Sequence, residues 1–186
     1  MRSFVCITLP QELRVRLEKT AGGLRRSTTV RASWVPVDNF HITVQFLGEI
    51  DPMLTVELQR RLNERIGRHA PFDLTLDRIS AFPSADRPRV LWGGGSATGA
   101  FTDLVRSISD GIAPLGFARE RKPDVFHITL ARLRGAADPR LVQTIREIDA
   151  RMESVSIAVT SVTLMESRLT SRGARYSRLF DVPLRG

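Results

Sequence analysis

Apolar and polar positions alternate along this chain in two distinct rhythms. Residues 3 to 9 form a nearly continuous apolar run of strand length. Pro10-Gln11-Glu12-Leu13 then opens a period of four, with Leu13, Leu17 and Ala21 on one face. That spacing predicts an amphipathic helix, and Gly22-Gly23 is expected to end it. A basic stretch from Arg25 to Arg31 leads to a segment of period two at about 40 to 47. There Phe40, Ile42, Val44 and Phe46 fall on one parity and His41, Thr43 and Gln45 on the other. Asp51-Pro52 starts a second helix, with Leu54, Leu58 and Leu62 on its apolar face. Strands are predicted at about 72 to 82 and 89 to 93, around a turn-rich connection at 83 to 88. A third helix is predicted at 98 to 112, after Gly93-Gly94-Gly95 interrupts the pattern.

The period-two segment then returns. At 126 to 133, Phe126, Ile128 and Leu130 oppose His127 and Thr129. A helix from about 138 to 151 follows, opened by Asp138-Pro139. Strand-like runs at 155 to 165 and 175 to 182 flank an expected loop, Ser167 to Gly173. The tetrapeptide Phe-His-Ile-Thr thus occurs twice, 86 residues apart in a chain of 186 that holds only three histidines. His69 has no echo and is read as a surface residue. Self-similarity at this spacing implies a duplicated half-domain. The expected architecture is α+β, a single bilobal domain over residues 1–186. Two lobes, each an antiparallel sheet backed by helices, would be related by a pseudo-twofold axis. Both His-x-Thr faces would then meet in a central groove.

Composition narrows the class. Hydrophobic content of 42% and charged content of 26% are those of a water-exposed globule. No apolar run approaches the ~20 residues of a membrane span. Met1 leads directly into a strand-like segment, so a cytoplasmic protein is expected, acting as a monomer. Cys6 is the only cysteine, placed in an apolar run, and reads as a buried structural thiol. The net charge of +8 comes almost wholly from arginine, since Lys19 and Lys122 are the only lysines. Such a surface favours phosphate contacts and is compatible with a polyanionic ligand such as RNA. Gly93-Gly94-Gly95 lacks the Gly-Lys-Ser/Thr and Gly-x-Gly-x-x-Gly patterns, and reads as a flexible bend rather than a phosphate loop.

Two histidines without further ligand-spaced His, Cys or carboxylates do not compose a zinc site, and no cofactor motif is present. Two imidazoles across a groove suit concerted proton transfer, one ring neutral and one protonated, near neutral pH. The threonine hydroxyls suit phosphoryl oxygens. A phosphodiester, and above all a strained cyclic one, needs both a base and an acid. The symmetry of the motifs leaves open which histidine plays which part.

These residues resemble the two-histidine phosphoesterase superfamily. More narrowly, the chain is similar to the bacterial and archaeal RNA 2',3'-cyclic phosphodiesterases, also called 2'-5' RNA ligases. Arg2-Ser3-Phe4-Val5 with Leu9-Pro10-Gln11-Glu12-Leu13 resembles the family's opening strand and helix. Trp34-Val35-Pro36 with His41-Ile42-Thr43-Val44 and Phe46-Leu47-Gly48 resembles its first motif block. Pro88 to Trp92, His127 to Arg132, Leu164 to Ser167 and Gly173 to Tyr176 carry the likeness to the end. The resemblance implies His41 as proton donor, His127 as proton acceptor, and Thr43, Thr129 and Arg132 as phosphate-binding residues. It implies opening of a 2',3'-cyclic phosphate at an RNA end to a 2'-phosphomonoester, with no metal and no cofactor. Reversible 2'-5' ligation, action on a small cyclic nucleotide, and a binding module for RNA ends are the alternatives. Gln45 stands where relatives commonly carry lysine, which would remove a charge from the groove rim. Phe126 stands where they commonly carry proline. Strict alternation places Arg132 on the Ile128 parity, away from His127, so either the strand twists or bulges there or Arg132 anchors structure.

Overall fold

The computed structural model describes residues 1–171 and 173–186. Ten strands and four α-helices follow one another along these residues. They are β1 (Arg2–Thr8), α1 (Gln11–Arg26), β2 (Ala32–Trp34), β3 (His41–Glu49), α2 (Thr55–Ile66), β4 (Phe72–Leu76) and β5 (Arg78–Ser84). Then come β6 (Arg87–Ser96), α3 (Gly99–Ile112), β7 (Val125–Leu133), α4 (Pro139–Ala150), β8 (Val155–Val159), β9 (Ser161–Thr170) and β10 (Gly173–Pro183). Single 3₁₀ turns precede β3 and α2 and follow α3. Leaving β2 and β10 aside, the order strand, helix, His-bearing strand, helix, strand, strand runs twice.

Two four-stranded antiparallel sheets form the lobes, ordered β10-β9-β1-β3 and β2-β7-β6-β5. The lobes do not coincide with the two halves of the sequence. β9 from the second half pairs with β1, and β5 from the first half pairs with β6. Helices are shared in the same manner, with α2 and α3 packed together behind the first sheet and α1 and α4 behind the second. A two-stranded ribbon, β4 with β8, joins the lobes, and Leu74 lies opposite Ile157 within it. Each lobe therefore closes only when both halves are present.

The helices follow their apolar spacing. Leu13, Leu17, Ala21 and Leu24 are buried on α1, and Leu58, Leu62 and Ile66 on α2. Asp138 caps α4 as its Asp-Pro context predicts, accepting from Leu141 N at 2.8 Å. Asp51 accepts from Met53 N at 2.9 Å and caps the 3₁₀ turn Pro52–Leu54, so that α2 begins only at Thr55. Four further expectations are revised. Gly22-Gly23 does not end α1, which continues to Arg26, because Leu24 extends the buried stripe and offsets a glycine penalty of ~1 kcal/mol each. The runs 72–82 and 155–165 each divide in two, so that β4 and β8 can turn away and pair with one another. The expected loop 167–173 is mostly the β9–β10 hairpin, with Arg172 outside the described residues. The triglycine is not a bend. Gly93, Gly94 and Gly95 are buried inside β6. A Cβ on Gly94 would sit 2.1 Å from Phe126 O, and one on Gly95 would sit 2.1 Å from Thr75 O. Glycine is required there because neighbouring backbones press on the strand.

Candidate active site

β3 is the edge strand of its sheet and faces β7 across the gap between lobes. Both strands present a histidine, then a threonine, and then break register. Opposite β3, Cys6 pairs with Thr43 and Val5 with Gln45, which leaves Val44 unopposed. Opposite β7, Trp92 pairs with Thr129 and Leu91 with Ala131, which leaves Leu130 unopposed. Each extra residue is a β-bulge, and a bulge reverses the alternation beyond it. The Leu130 carbonyl, displaced from the ladder, accepts from Val35 N at 2.9 Å.

The bulges correct two side-chain placements. Gln45 is not on the groove rim. It is 2% exposed, accepts from Ser109 Oγ at 2.6 Å and donates through Nε2 to Ala118 O at 3.0 Å. Phe46, expected in the core, is 61% exposed and lines the groove. On β7 the same shift buries Ala131 and swings Arg132 onto the His127 face, which resolves its parity conflict. His41, Thr43, His127, Thr129 and Arg132 all line one cavity of about 400 Å³ between the lobes. Phe46 and Tyr176 line it too, as do Leu169 and Ala174 of the β9–β10 hairpin.

The two imidazoles are held differently. His41 Nδ1 lies 2.7 Å from Asn39 O, and Nε2 lies 3.0 Å from Thr43 Oγ1. A carbonyl oxygen can only accept, so Nδ1 carries a proton and Nε2 is the nitrogen that exchanges one. Phe4 at 4.8 Å and the edge of Tyr176 at 5.3 Å enclose the ring. Burial lowers the His41 pKa, opposed by the hydrogen bond to Asn39. The His127 ring meets Phe82 edge-on at 5.2 Å and Trp92 at 6.4 Å. Burial lowers its pKa first, and the Arg132 guanidinium and the His41 ring lower it further. Tyr176 is shifted upward by burial, so its phenol stays a donor near neutrality.

The remaining candidates fall elsewhere. His69 Nε2 lies 2.8 Å from Ser107 Oγ and ties its loop to α3, away from the groove. Cys6 is fully buried beside Thr43 in the ladder, and burial pushes its thiol up to about 12. Phe126 is buried against Phe101, with ring centroids 6.2 Å apart. Asn39, Phe46, Tyr176 and Leu169 were not expected in the site. A shared offset, Phe46 and Arg132 each standing five residues after a motif histidine, is the sequence signal that marks Phe46.

The family model described as LigT-like phosphoesterase matches residues 7–92 and 95–176. The chain belongs to the LigT-like phosphoesterases. A relative from Aeropyrum pernix named RNA 2',3'-cyclic phosphodiesterase is 36% identical over 157 residues, covering 83% of this chain and 88% of its own. One of the same name from Thermotoga maritima is 28% identical over 186 residues, covering 100% of this chain and 97% of its own. The crystal structure of TT0787 from Thermus thermophilus superposes with a TM-score of 0.79 at 26% identity, covering 100% of this chain and 99% of that one. E. coli LigT complexed with 3'-AMP shares the fold, with a TM-score of 0.71 at 23% identity over 98% of this chain and 97% of its own. This LigT-like chain thus has the family's bilobal α+β fold over its whole length. Among the described residues no helix is long and apolar enough to cross a membrane.

Proposed function

We propose that this LigT-like phosphoesterase opens 2',3'-cyclic phosphates at RNA ends to 2'-phosphomonoesters, by paired histidine acid–base catalysis without a metal. The observation that carries the reading is the convergence of two imidazoles, two threonines and one arginine on a single cavity of about 400 Å³. Relatives named RNA 2',3'-cyclic phosphodiesterase support the substrate. Among the described residues no three His, Cys, Asp or Glu side chains gather as a ligand set.

The asymmetry of the rings supports the roles. The Asn39 carbonyl favours the protonated form of His41, whereas the Arg132 cation favours the neutral form of His127. His127 takes a proton from water as the water oxygen bonds to phosphorus. The bond from phosphorus to O3' breaks, its electron pair moves onto O3', and His41 Nε2–H supplies the proton. Thr43, Thr129 and Arg132 hold the non-bridging oxygens as charge redistributes. The exposed Phe46 ring offers a face on which a base of any identity can stack. Replacing His41 or His127 by alanine tests the assignment. Each change is expected to lower kcat on a cyclic-phosphate oligonucleotide by at least ~10²-fold, and near-normal turnover in either variant contradicts it.

A further inference from the structure

Asn39 holds two parts of the molecule at once. Its main-chain oxygen accepts from His41 Nδ1 at 2.7 Å, and its side-chain Nδ2 donates to Ala174 O, also at 2.7 Å. Ala174 belongs to the outer part of the β9–β10 hairpin. Pairing between β1 and β9 stops at Ser3 opposite Glu166, and beyond that point β9 and β10 pair with each other. A two-stranded ribbon is marginal alone, so contacts with the body set its position over the groove. Asn39 supplies one such contact, and Tyr176 packed against Phe4 and His41 supplies another. The groove face of the same ribbon carries Leu169, which is 75% exposed, and Ala174. An exposed apolar side chain lining the same cavity as the histidines offers a seat for the sugar and base of a nucleotide.

Resting on the reading of the groove given above, we propose that Asn39 is a positioning residue that ties the nucleoside seat on the hairpin to the orientation of the His41 ring. The carbonyl that fixes this imidazole belongs to a single 3₁₀ turn, Val37–Asn39. Two further side chains anchor that turn: Val37 packs against the core, and Asp38, 89% exposed, pairs with Arg14 at 3.3 Å. An exposed pair of this kind holds weakly. The Asn39 amide is thus the polar tie between this turn and the hairpin, and a nucleoside bearing on Leu169 and Ala174 acts on the same link. An ångström of misplacement at an acid can cost as much as ~10²-fold in rate.

Asn39→Ala is the direct test, because it keeps the main-chain carbonyl and removes only the link to Ala174. Leu169→Ser removes the far contact and leaves the link in place. The measurements are kcat and KM on 2',3'-cyclic AMP and on a cyclic-phosphate oligonucleotide from pH 5 to 9, melting temperature, and an NMR titration of His41. Charged groups sharing cavities with His41 are Arg14, Asp38 and Arg178 on one side and Arg2, His127 and Arg132 on the other. Neither substitution alters any of them, so a shift in the titration reports on Asn39. Asn39→Ala is expected to lower kcat about tenfold at a nearly unchanged melting temperature. The His41 titration should move to lower pH, since a loosened Nδ1–H bond favours the protonated ring less. Leu169→Ser should raise KM and leave the titration in place. An unmoved His41 titration in Asn39→Ala, or a kcat loss that merely follows melting temperature, overturns the proposal. A wild-type protein inactive on both substrates instead overturns the functional reading, and the titration still decides the link.

Discussion

Phe46 and Arg132 occupy equivalent positions in the two lobes, each brought onto the catalytic face by a bulge one step past the motif threonine. The two imidazoles already differ in their hydrogen bonds, and this pair adds a second asymmetry to the groove. A cation marks the end suited to phosphate oxygens, and an aromatic face marks the end suited to a base.

The pair should separate in kinetics. Phe46→Ala is expected to raise KM by roughly 5- to 100-fold, since stacking contributes ~1–3 kcal/mol per base. The pH profile should not move. Arg132→Met should weaken binding and also remove a charge that lowers the His127 pKa. The ascending limb, where the base becomes neutral, then shifts to higher pH. Equal effects of the two variants on the pH profile would contradict the division of labour.

The pH dependence follows from burial. Both imidazoles lie below their ordinary value of about 6.5, burial being the first cause for each. With the proposed roles, activity is expected to rise as His127 loses its proton and fall as His41 does. The bell in kcat/KM, which reports the free protein, should therefore centre below pH ~6.5. A bound phosphate anion favours both imidazolium forms, so the bell in kcat should lie at higher pH. Profiles measured across pH 4.5 to 9 decide this, and a kcat/KM optimum above ~7.5 contradicts it.

The threonines test positioning apart from proton transfer. Thr43→Val and Thr129→Val keep the β-branched shape and delete the hydroxyl. Each should lower kcat by up to ~10²-fold, less than loss of either histidine. Folding should change little, as thermal melts would register. Full activity in both variants means the groove does not hold phosphate as described.

How much the sequence disclosed depended on the range of the interaction. The repeat of Phe-His-Ile-Thr, the Asp138-Pro139 cap and the stripe Leu13-Leu17-Ala21 act locally, and β3, β7, α4 and the start of α1 stand where these cues place them. Arg132 also reaches the groove with both histidines and both threonines. Gln45 and Phe46 exchanged places because a bulge depends on the partner strand, which strict alternation cannot register. The triglycine read as a bend because the backbone pressing on Gly95 belongs to Thr75, brought there by tertiary packing. Asn39 and Leu169 carry no motif, and their place in the site comes from a hairpin folding back across the chain.

Gly94→Ala and Gly95→Ala test the close-packed strand. Each Cβ would sit 2.1 Å from a carbonyl oxygen of neighbouring backbone, which cannot rotate away. A loss of at least ~3 kcal/mol, or insoluble protein, is expected. Gly99→Ala, where a Cβ would meet nothing within 4 Å, should stay within ~0.5 kcal/mol of wild type. Denaturant midpoints make the comparison, and equal stability for Gly94→Ala and Gly99→Ala would contradict the strand geometry.

The most direct measurement of the central claim is phosphorus NMR of the product formed from an oligonucleotide ending in 2',3'-cyclic phosphate, with excess chelator present. Acid–base catalysis by His41 and His127 predicts undiminished turnover and a 2'-phosphomonoester as the sole product. Activity lost to the chelator and restored by one divalent ion, or a 3'-phosphomonoester in the spectrum, would contradict it.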